Sequence, residues 1–69
     1  MEFKIEGEEP FILLQSLLKA SGLCDTGGEA KNVIKDSQVK VDGEVETRRG
    51  KKIIAGQVVS YNGKTVKVV

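Results

Sequence analysis

The spacing of apolar residues changes once along this chain, and that change constrains the fold more than any other feature. In the first half, leucines recur every three or four positions, as at Leu14, Leu17 and Leu18, which is the spacing of one face of an α-helix. In the second half apolar and polar residues alternate, as around Val39 and Val41, which is typical of strands with one buried face. The sequence therefore predicts an α+β fold, with two helices packed on a small, mostly antiparallel sheet.

The first helix is bounded by a proline and a glycine. Pro10 suits the first turn of a helix, where its missing amide hydrogen costs nothing, and Phe11 then continues the apolar face. Gly22 suits the position just after the last turn, where Leu23 can fold back onto the helix. We therefore expect the first helix to have Pro10 in its first turn and to end before Gly22.

The second helix has a capping signal at its start. Thr26 and Glu29 have the spacing of a capping box, in which the threonine hydroxyl accepts from the amide of Glu29 and the glutamate accepts from the amide of Thr26. This predicts a helix from about Gly27, with an apolar stripe formed by Ala30, Val33 and Ile34.

The strands are predicted from alternation and from two turn signals. A short strand over residues 1–6 would bury Phe3. At Asp42–Gly43, a three-residue turn with a glycine bulge would pair Val39 with Val45 and bury both on one face. At Asn62–Gly63, a two-residue type I′ turn fits both sides of the hairpin. It pairs Val59 with Val66 and Tyr61 with Lys64.

Size and residue types restrict the kinds of protein that are possible. Sixty-nine residues predict a single domain over 1–69 with a thin core. The sequence has no histidine and only one cysteine, Cys24, so histidine-based catalysis and an internal disulfide are excluded. We expect no enzyme activity, no cofactor, no metal and no small-molecule substrate. No apolar run is long enough to span a membrane and no signal peptide is visible, so we expect a cytoplasmic protein.

Charged residues are sorted along the chain. Residues 1–30 contain two basic and six acidic side chains, a net charge of −4, whereas residues 31–69 contain nine basic and four acidic side chains, a net charge of +5. Such sorting favours an anion-binding surface, for which a polyphosphate is the commonest ligand. Arginine suits bidentate phosphate contact and lysine acts as a point charge. The candidate contacts are Lys31, Lys35, Lys40, Arg48, Arg49, Lys51 and Lys52.

The order of these signals resembles the S4 RNA-binding domain. The most specific part is the stretch 34–45, where a helix end leads directly into a Val-x-Val-Asp-Gly turn. The resemblance extends from about Phe11 to Tyr61, and it is greatest to short, stand-alone bacterial members with a strand before the first helix and a Thr-Arg-Arg loop. Larger members have an arginine directly after the helix-capping residue, where this chain has Gly27 and Gly28.

The resemblance implies an S4-like fold, or αL motif, with an added N-terminal strand, and non-catalytic binding of rRNA or tRNA, with the ribosome as a candidate partner. Only Phe3, Phe11 and Tyr61 are aromatic, which is few for stacking on single-stranded bases and favours recognition of folded RNA through its backbone and shape. Two alternatives stay open. The acidic half or a sheet edge could bind another protein, and the cations could bind DNA generally.

Overall fold

In the computed structural model, which describes residues 1–5, 7 and 9–69, two helices lie against a five-stranded sheet. The elements are β1 (Glu2–Phe3), β2 (Ile12–Leu13), α1 (Leu14–Ala20), α2 (Gly27–Lys35), β3 (Val39–Val41), β4 (Glu44–Val45), β5 (Lys52–Ile53), β6 (Val58–Tyr61) and β7 (Lys64–Val68). The strand order is β1-β7-β6-β3-β4, and β2 pairs with β5 separately. β1 is parallel to β7 and every other pair is antiparallel. The predicted α+β architecture with an N-terminal strand is confirmed. The strand covers Glu2–Phe3 and not the predicted 1–6, of which residue 6 lies outside the described residues. No helix in the described ranges is long and apolar enough to cross a bilayer.

The first helix begins later than the sequence predicts. α1 starts at Leu14, so Pro10 and Phe11 lie before it and not in its first turn. The two residues that precede α1 form β2, which pairs Ile12 with Ile53 of β5. This pairing holds the chain extended until Leu13. The predicted place of Pro10 in the first turn is therefore wrong, because a strand partner distant in sequence sets the boundary.

The junction between the helices largely matches its sequence signals. Gly22 has a φ of +83° just after α1, the left-handed conformation expected of it. The Thr26 hydroxyl accepts from the amide of Glu29 at 3.1 Å, which confirms the helix cap. The Glu29 carboxylate, however, accepts from the amide of Asp25 at 3.3 Å. The returning half of the capping box therefore reaches one residue earlier in the chain than predicted.

α2, like α1, is followed by a residue in the left-handed conformation, but that residue is not a glycine. The amide of Ser37 donates to the carbonyl of Ile34 at 3.1 Å, and the amide of Gln38 donates to that of Val33 at 3.0 Å. These bonds satisfy carbonyls of the last helical turn. Ser37 has a φ of +63° at the position that Gly22 occupies after α1. A left-handed conformation costs a residue with a Cβ atom roughly 1–2 kcal/mol.

Changing Ser37 to glycine is therefore expected to raise the free energy of unfolding, by up to about 1 kcal/mol. Glycine removes the left-handed strain but leaves the unfolded chain more flexible, which offsets part of the gain. The measurement is urea unfolding followed by circular dichroism. The matched control is Ser21→Gly, because Ser21 has a φ of −80° and should lose stability on the same change. An unfolding midpoint for Ser37→Gly at or below that of the natural chain would contradict this account.

The first hairpin has a different register from the predicted one. Asp42 and Gly43 have φ values of +52° and +85°, as in a two-residue type I′ turn, and the turn pairs Lys40 with Val45. The predicted bulged turn, which pairs Val39 with Val45, is therefore wrong. Val45 lies on the face opposite to buried Val39 and is 52% exposed. β4 is an edge strand, so Val45 does not have to be buried. The geometry of the turn, and not the burial of Val45, therefore sets the register of this hairpin.

The second hairpin is as predicted. The residues of the Asn62–Gly63 turn have φ values of +55° and +76°, the left-handed pair of a type I′ turn. The turn pairs Val59 with Val66 and Tyr61 with Lys64. In this hairpin the turn type and the alternation of both strands require the same register, which is why the local sequence is enough to predict it.

The core lies between the helices and one face of the five-stranded sheet. Cys24 is 2% exposed within it, and burial, with help from Glu29, raises the pKa of its thiol to about 11. A thiol that stays protonated is a poor nucleophile, so the cysteine fits a structural role. The buried residues are Leu14, Leu17, Leu18, Cys24, Ala30, Val33, Ile34, Val39, Val41, Ile53, Val59, Val66 and Val68.

Candidate nucleic-acid interface

The predicted cations lie in three parts of the fold. Lys31 and Lys35 lie one turn apart on α2, and Lys40 lies in the middle of β3. The other four belong to the segment 47–52, which we call the basic loop and which ends in the first residue of β5. Six of the seven are exposed and Lys51 is half-buried.

The pair on α2 is positioned by the buried stripe of the same helix. Ala30, Val33 and Ile34 are in the core, so Lys31 and Lys35 lie on the flank that faces solvent, as predicted. Residues four apart on a helix are neighbours on its surface. The two ammonium groups can therefore follow one strand of phosphates.

The surface beside the first turn of α2 is open. A Cβ atom added at Gly27 would meet nothing within 4 Å, and one added at Gly28 would meet only the Thr26 hydroxyl at 3.9 Å. Neither glycine is required by close packing or by a left-handed backbone. A side chain at Gly27, where larger S4-like proteins have arginine, would therefore project without a clash.

The basic loop is fixed to the beginning of α1 through its main chain. The amide of Leu14 donates to the carbonyl of Lys51 at 2.9 Å, and the amide of Gln15 donates to that of Arg49 at 3.1 Å. These carbonyls satisfy amides of the first turn of α1, which need acceptors from outside the helix. They take the place of a side-chain cap, which the apolar N-cap residue Leu13 cannot make. The position of the loop cations is therefore set by the fold.

Arg48 is held by an acidic neighbour. Its Nε donates to Glu46 Oε2 at 3.0 Å and its Nη2 donates to Oε1 at 3.1 Å, while its main-chain amide also donates to Oε2 at 3.1 Å. Of the ion pairs between described residues, this is the only one. The Arg48 side chain is 72% exposed, whereas that of Glu46 is only 14% exposed. A phosphate that approaches Arg48 from the solvent must therefore compete with this carboxylate.

The Glu46 carboxylate should titrate well below its usual range. Hydrogen bonds from the side chain and the main chain of Arg48 lower the pKa of Glu46 from 4.5 to about 2. A carboxylate whose pKa is lowered by folding stabilises the fold above its unfolded pKa, and that stabilisation is lost as the pH falls toward the folded pKa. We therefore expect stability to be insensitive to this group above about pH 5 and to fall between about pH 4.5 and 2.

Unfolding in urea across this pH range, with Glu46→Gln as the comparison, tests that expectation. The variant should lose less stability than the natural chain on acidification, because its amide does not titrate. Parallel pH profiles for the two proteins would mean that the Glu46–Arg48 contact does not persist in solution. A carboxyl titration by NMR gives the pKa directly.

The remaining loop cations have different surroundings. Lys51 lines a polar concavity of about 300 Å³ together with Glu46, Arg48 and Gln57. The ammonium of Lys52 lies 4.9 Å from the centre of the Phe11 ring, a cation–π distance. Phe11 is thus half-buried beneath a lysine and does not continue the face of α1 as predicted. For Arg49, no side-chain hydrogen bond or ion pair joins it to the part of the chain that the structure describes.

Lys40 lies on the other side of the sheet. Its neighbours Val39 and Val41 are buried beneath the helices, so alternation along the strand places Lys40 on the face that points away from the helices. Two further cations near it, Lys64 and Lys67, were not among the predicted contacts. Lys64 lines the same concavity as Lys40. The alternation of β7 places Lys67 on the same face as Lys40, whereas Lys64 has the parity of the buried Val66 and Val68.

The site offers cations and hydrogen-bond donors but few groups for chemistry. Within residues 1–5, 7 and 9–69, no three histidine, cysteine or carboxylate side chains lie close enough together to hold a metal ion. The sole thiol is buried. The arrangement can attract and position phosphates.

Comparison with known proteins identifies the family. The family model of the S4 domain matches residues 3–69. YbcJ of Escherichia coli strain K12, which is provisionally named an RNA-binding protein, is 51% identical over 63 residues that cover 91% of this chain and 90% of YbcJ. RlbA of Bacillus subtilis strain 168, provisionally named for ribosome maturation, is 36% identical over 75% of this chain and 73% of its own.

A tRNA ligase and a solved structure also match this chain. The tyrosine–tRNA ligase of Ralstonia nicotianae is 41% identical over 74% of this chain, a match that covers 13% of the ligase. The solution structure of Escherichia coli YbcJ, described as revealing an αL motif involved in RNA binding, matches with a TM-score of 0.75. That match has 48% sequence identity and covers 99% of this chain and 85% of the other. The chain therefore belongs to the S4 domain family.

Proposed function

We propose that this protein binds structured RNA, without catalysing a reaction on it, through phosphate contacts from a basic surface. The observation that carries the proposal is the match of nearly the whole chain to YbcJ, whose solution structure is described as showing an αL motif involved in RNA binding. The exposed cations supply the chemistry that such binding needs. The proposed contacts are Lys31, Lys35, Lys40, Arg48, Arg49, Lys51 and Lys52, of which Lys40 lies on the sheet face that points away from the helices.

The arrangement favours contacts to the backbone over contacts to bases. Lysines on a helix flank and arginines in an exposed loop suit phosphate oxygens, which fix orientation but carry no sequence information directly. The two phenylalanines and Tyr61 are half-buried, so they offer little surface for stacking on splayed bases. We therefore infer recognition of a folded or double-stranded region, with low sequence specificity.

Ribosomal RNA is the first candidate ligand and transfer RNA the second. The relative named for ribosome maturation matches over 73% of its own length, so the shared module makes up most of that protein. The tRNA ligase shares only 13% of its length with this chain, so much of its tRNA contact surface can lie elsewhere. The ribosome is then the proposed setting, in the cytoplasm, with no membrane partner.

Titration with labelled RNA at several salt concentrations tests the proposal. Saturable binding to an rRNA stem or a folded tRNA, weakening steeply between about 50 and 200 mM salt, is the expected result. Duplex DNA is the competitor, and it should displace the RNA only at a large excess. No binding at the lowest salt would refute the proposal and favour a protein-interaction module. Equal competition by DNA would instead indicate general polyanion binding.

An arginine at position 27 is expected to increase RNA affinity. The site beside Gly27 is open, and the resemblance places a contact of larger S4-like proteins there. Gly27→Arg should raise affinity several-fold and steepen the salt dependence by about one unit of slope, as one added phosphate contact does. Gly27→Gln is the control, because it adds a side chain of similar reach without charge. Equal affinities for the two variants would place this helix end outside the interface.

A further inference from the structure

A polar concavity of about 300 Å³ lies between the β3–β4 hairpin and the basic loop, and we call it the hairpin concavity. Three carboxylates and two cations line it, namely Asp42, Glu44, Glu46, Arg48 and Lys51. A phosphate in this space meets more negative than positive side chains, which opposes its binding. The lining suits instead a ligand without net charge that offers both hydrogen-bond donors and acceptors.

Two charged groups of the hairpin concavity are available to a ligand. Asp42 is not one of them, because its Oδ1 accepts from the amide of Val58 at 2.9 Å and its Oδ2 accepts from the side-chain amide of Gln57 at 3.3 Å. For Glu44 and Lys51, no side-chain hydrogen bond or ion pair joins them to the described part of the chain. Glu44 is exposed and Lys51 is half-buried, so a carboxylate and an ammonium group line the same space without partners there.

Arg48 supplies a flat surface beside these groups. Its Nε and Nη2 donate to the Glu46 carboxylate at 3.0 and 3.1 Å, and two bonds along one edge fix the plane of the guanidinium. The side chain is 72% exposed. Unpaired RNA bases stack on guanidinium planes, and such stacking tolerates any base. Arg48 can therefore hold a base over the concavity without giving up its bonds to Glu46.

Resting on the proposed function, we propose that the hairpin concavity receives one unpaired guanine of the RNA, stacked on Arg48, with its Watson–Crick edge on Glu44 and Lys51. Guanine presents two adjacent donors, N1–H and the N2 amino group, which match the two oxygens of a carboxylate, and beside them the acceptor O6, which matches an ammonium group. On the same edge, adenine and cytosine offer a carboxylate only an amino group, and uracil only N3–H. The phosphate contacts orient the RNA, and this concavity adds a preference at a single base.

The test compares RNA stems that differ only at one bulged nucleotide, which is guanosine, inosine, adenosine or absent. Inosine lacks the N2 amino group of guanosine but keeps N1–H and O6, so this pair isolates the contact to Glu44. The natural chain should bind the guanosine bulge about fivefold or more tightly than the inosine bulge, as expected for loss of a base-edge hydrogen-bond pair. It should also prefer the guanosine bulge to the adenosine bulge and to the stem without a bulge. Fluorescence anisotropy at one fixed salt concentration gives the affinities.

Three variants assign the parts of the site. Glu44→Gln should bind the guanosine and inosine bulges equally, within about twofold, because an amide offers one acceptor and one donor where guanine needs two acceptors. Glu2→Gln is the matched control, since it removes an exposed carboxylate from β1, at the opposite edge of the sheet from β4, and it should keep the full preference. Arg48→Ala/Glu46→Gln should weaken binding of every bulged stem by a similar factor, because stacking does not distinguish the bases. Unchanged circular dichroism and melting temperature establish that each variant is folded.

The outcomes distinguish the two proposals. The ratio of the guanosine to the inosine affinity is the readout, so a general effect of removing one negative charge cancels. If the natural chain binds the two bulges alike, or if Glu44→Gln keeps the preference, the guanine site is refuted while RNA binding stands. If the natural chain binds none of the stems, both proposals fall.

Discussion

Replacing Ile53 by alanine is expected to unfold a large fraction of the protein, whereas the same change at Ile54 is expected to be tolerated. Ile53 is fully buried in the core, while its neighbour is 52% exposed. Removing a buried isoleucine side chain costs about 2–5 kcal/mol. A domain of this length has a free energy of unfolding of only roughly 3–10 kcal/mol. The loss at Ile53 is thus comparable with the whole stability.

Ile53 is also where the small sheet meets the core. It pairs with Ile12 of β2, the strand that leads directly into α1, so its loss should loosen the beginning of that helix as well. Ile54 contributes mainly its main-chain amide, which donates to Gln57 Oε1 at 2.9 Å, and alanine keeps that amide. We expect Ile54→Ala to change stability by less than about 1 kcal/mol.

Urea unfolding monitored by circular dichroism measures both variants against the natural chain. The pair is matched because the same atoms are removed at adjacent positions. If both variants lost the same free energy of unfolding, the assignment of one isoleucine to the core and the other to solvent would be wrong. Hydrogen exchange at the amides of α1 would show whether loosening spreads from Ile53.

Features that depend on neighbouring residues could be predicted from the sequence. The Thr26 cap needs only the amide of Glu29, three residues away. The Asn62–Gly63 turn needs only two residues that accept a positive φ between two alternating strands. The apolar stripe of α2 is likewise visible in one helical turn. In each case the interacting residues lie within a few positions of one another, so the local sequence is enough to predict the structure.

Features that depend on distant partners could not be predicted. α1 begins at Leu14 because β5 and the basic loop, far along the chain, supply its strand partner and its capping carbonyls. The Asp42–Gly43 turn sets the register of Val45, but the expectation that Val45 is buried favoured the other turn, and its place on an edge strand is what a local alternation pattern does not reveal. Which of Ile53 and Ile54 is buried follows from the pairing with β2.

The candidate site divides in the same way. The types of its residues and the pair on α2 follow from composition and helical spacing. Two contacts of these cations could not be predicted from the sequence and are seen only in the structure. They are the ion pair of Arg48 with Glu46 and the position of Lys52 over the Phe11 ring. Alternation predicts that Lys40 lies on the face opposite to Val39 and Val41. The structure is needed to show that the helices cover the valine face, so that Lys40 points away from them.

Replacing Arg48 and Arg49 together by alanine is expected to weaken RNA binding broadly, by about tenfold or more at low salt, with no change in RNA preference. Each lost phosphate contact should also reduce the slope of log affinity against log salt by about 0.9 units. Both side chains are exposed, and the loop is held in place by main-chain carbonyls, which alanine retains. The fold should therefore survive the change.

Two controls separate phosphate contact from net charge. Arg48→Lys/Arg49→Lys keeps both charges but loses the bidentate geometry, so it should keep the slope and lose only part of the affinity. Lys19→Ala removes a cation outside the proposed interface and should have little effect. Filter binding or fluorescence anisotropy at four or more salt concentrations gives both quantities.

The ion pair with Glu46 makes a sharper comparison possible. Replacing Arg48 by alanine alone leaves the Glu46 carboxylate without its partner, so lost contact and added repulsion are mixed. Adding Glu46→Gln makes the change neutral overall, and any remaining loss of affinity reports the contact that Arg48 itself makes. We expect this neutral double variant to lose less affinity than Arg49→Ala, because Arg48 must first leave a carboxylate at 3.0 Å, whereas the Arg49 side chain has no ion pair with a described residue to break. If the neutral double variant lost more affinity than Arg49→Ala, the RNA, and not Glu46, would be the better partner of Arg48. If affinity and slope were unchanged in every variant, the basic loop would lie outside the interface.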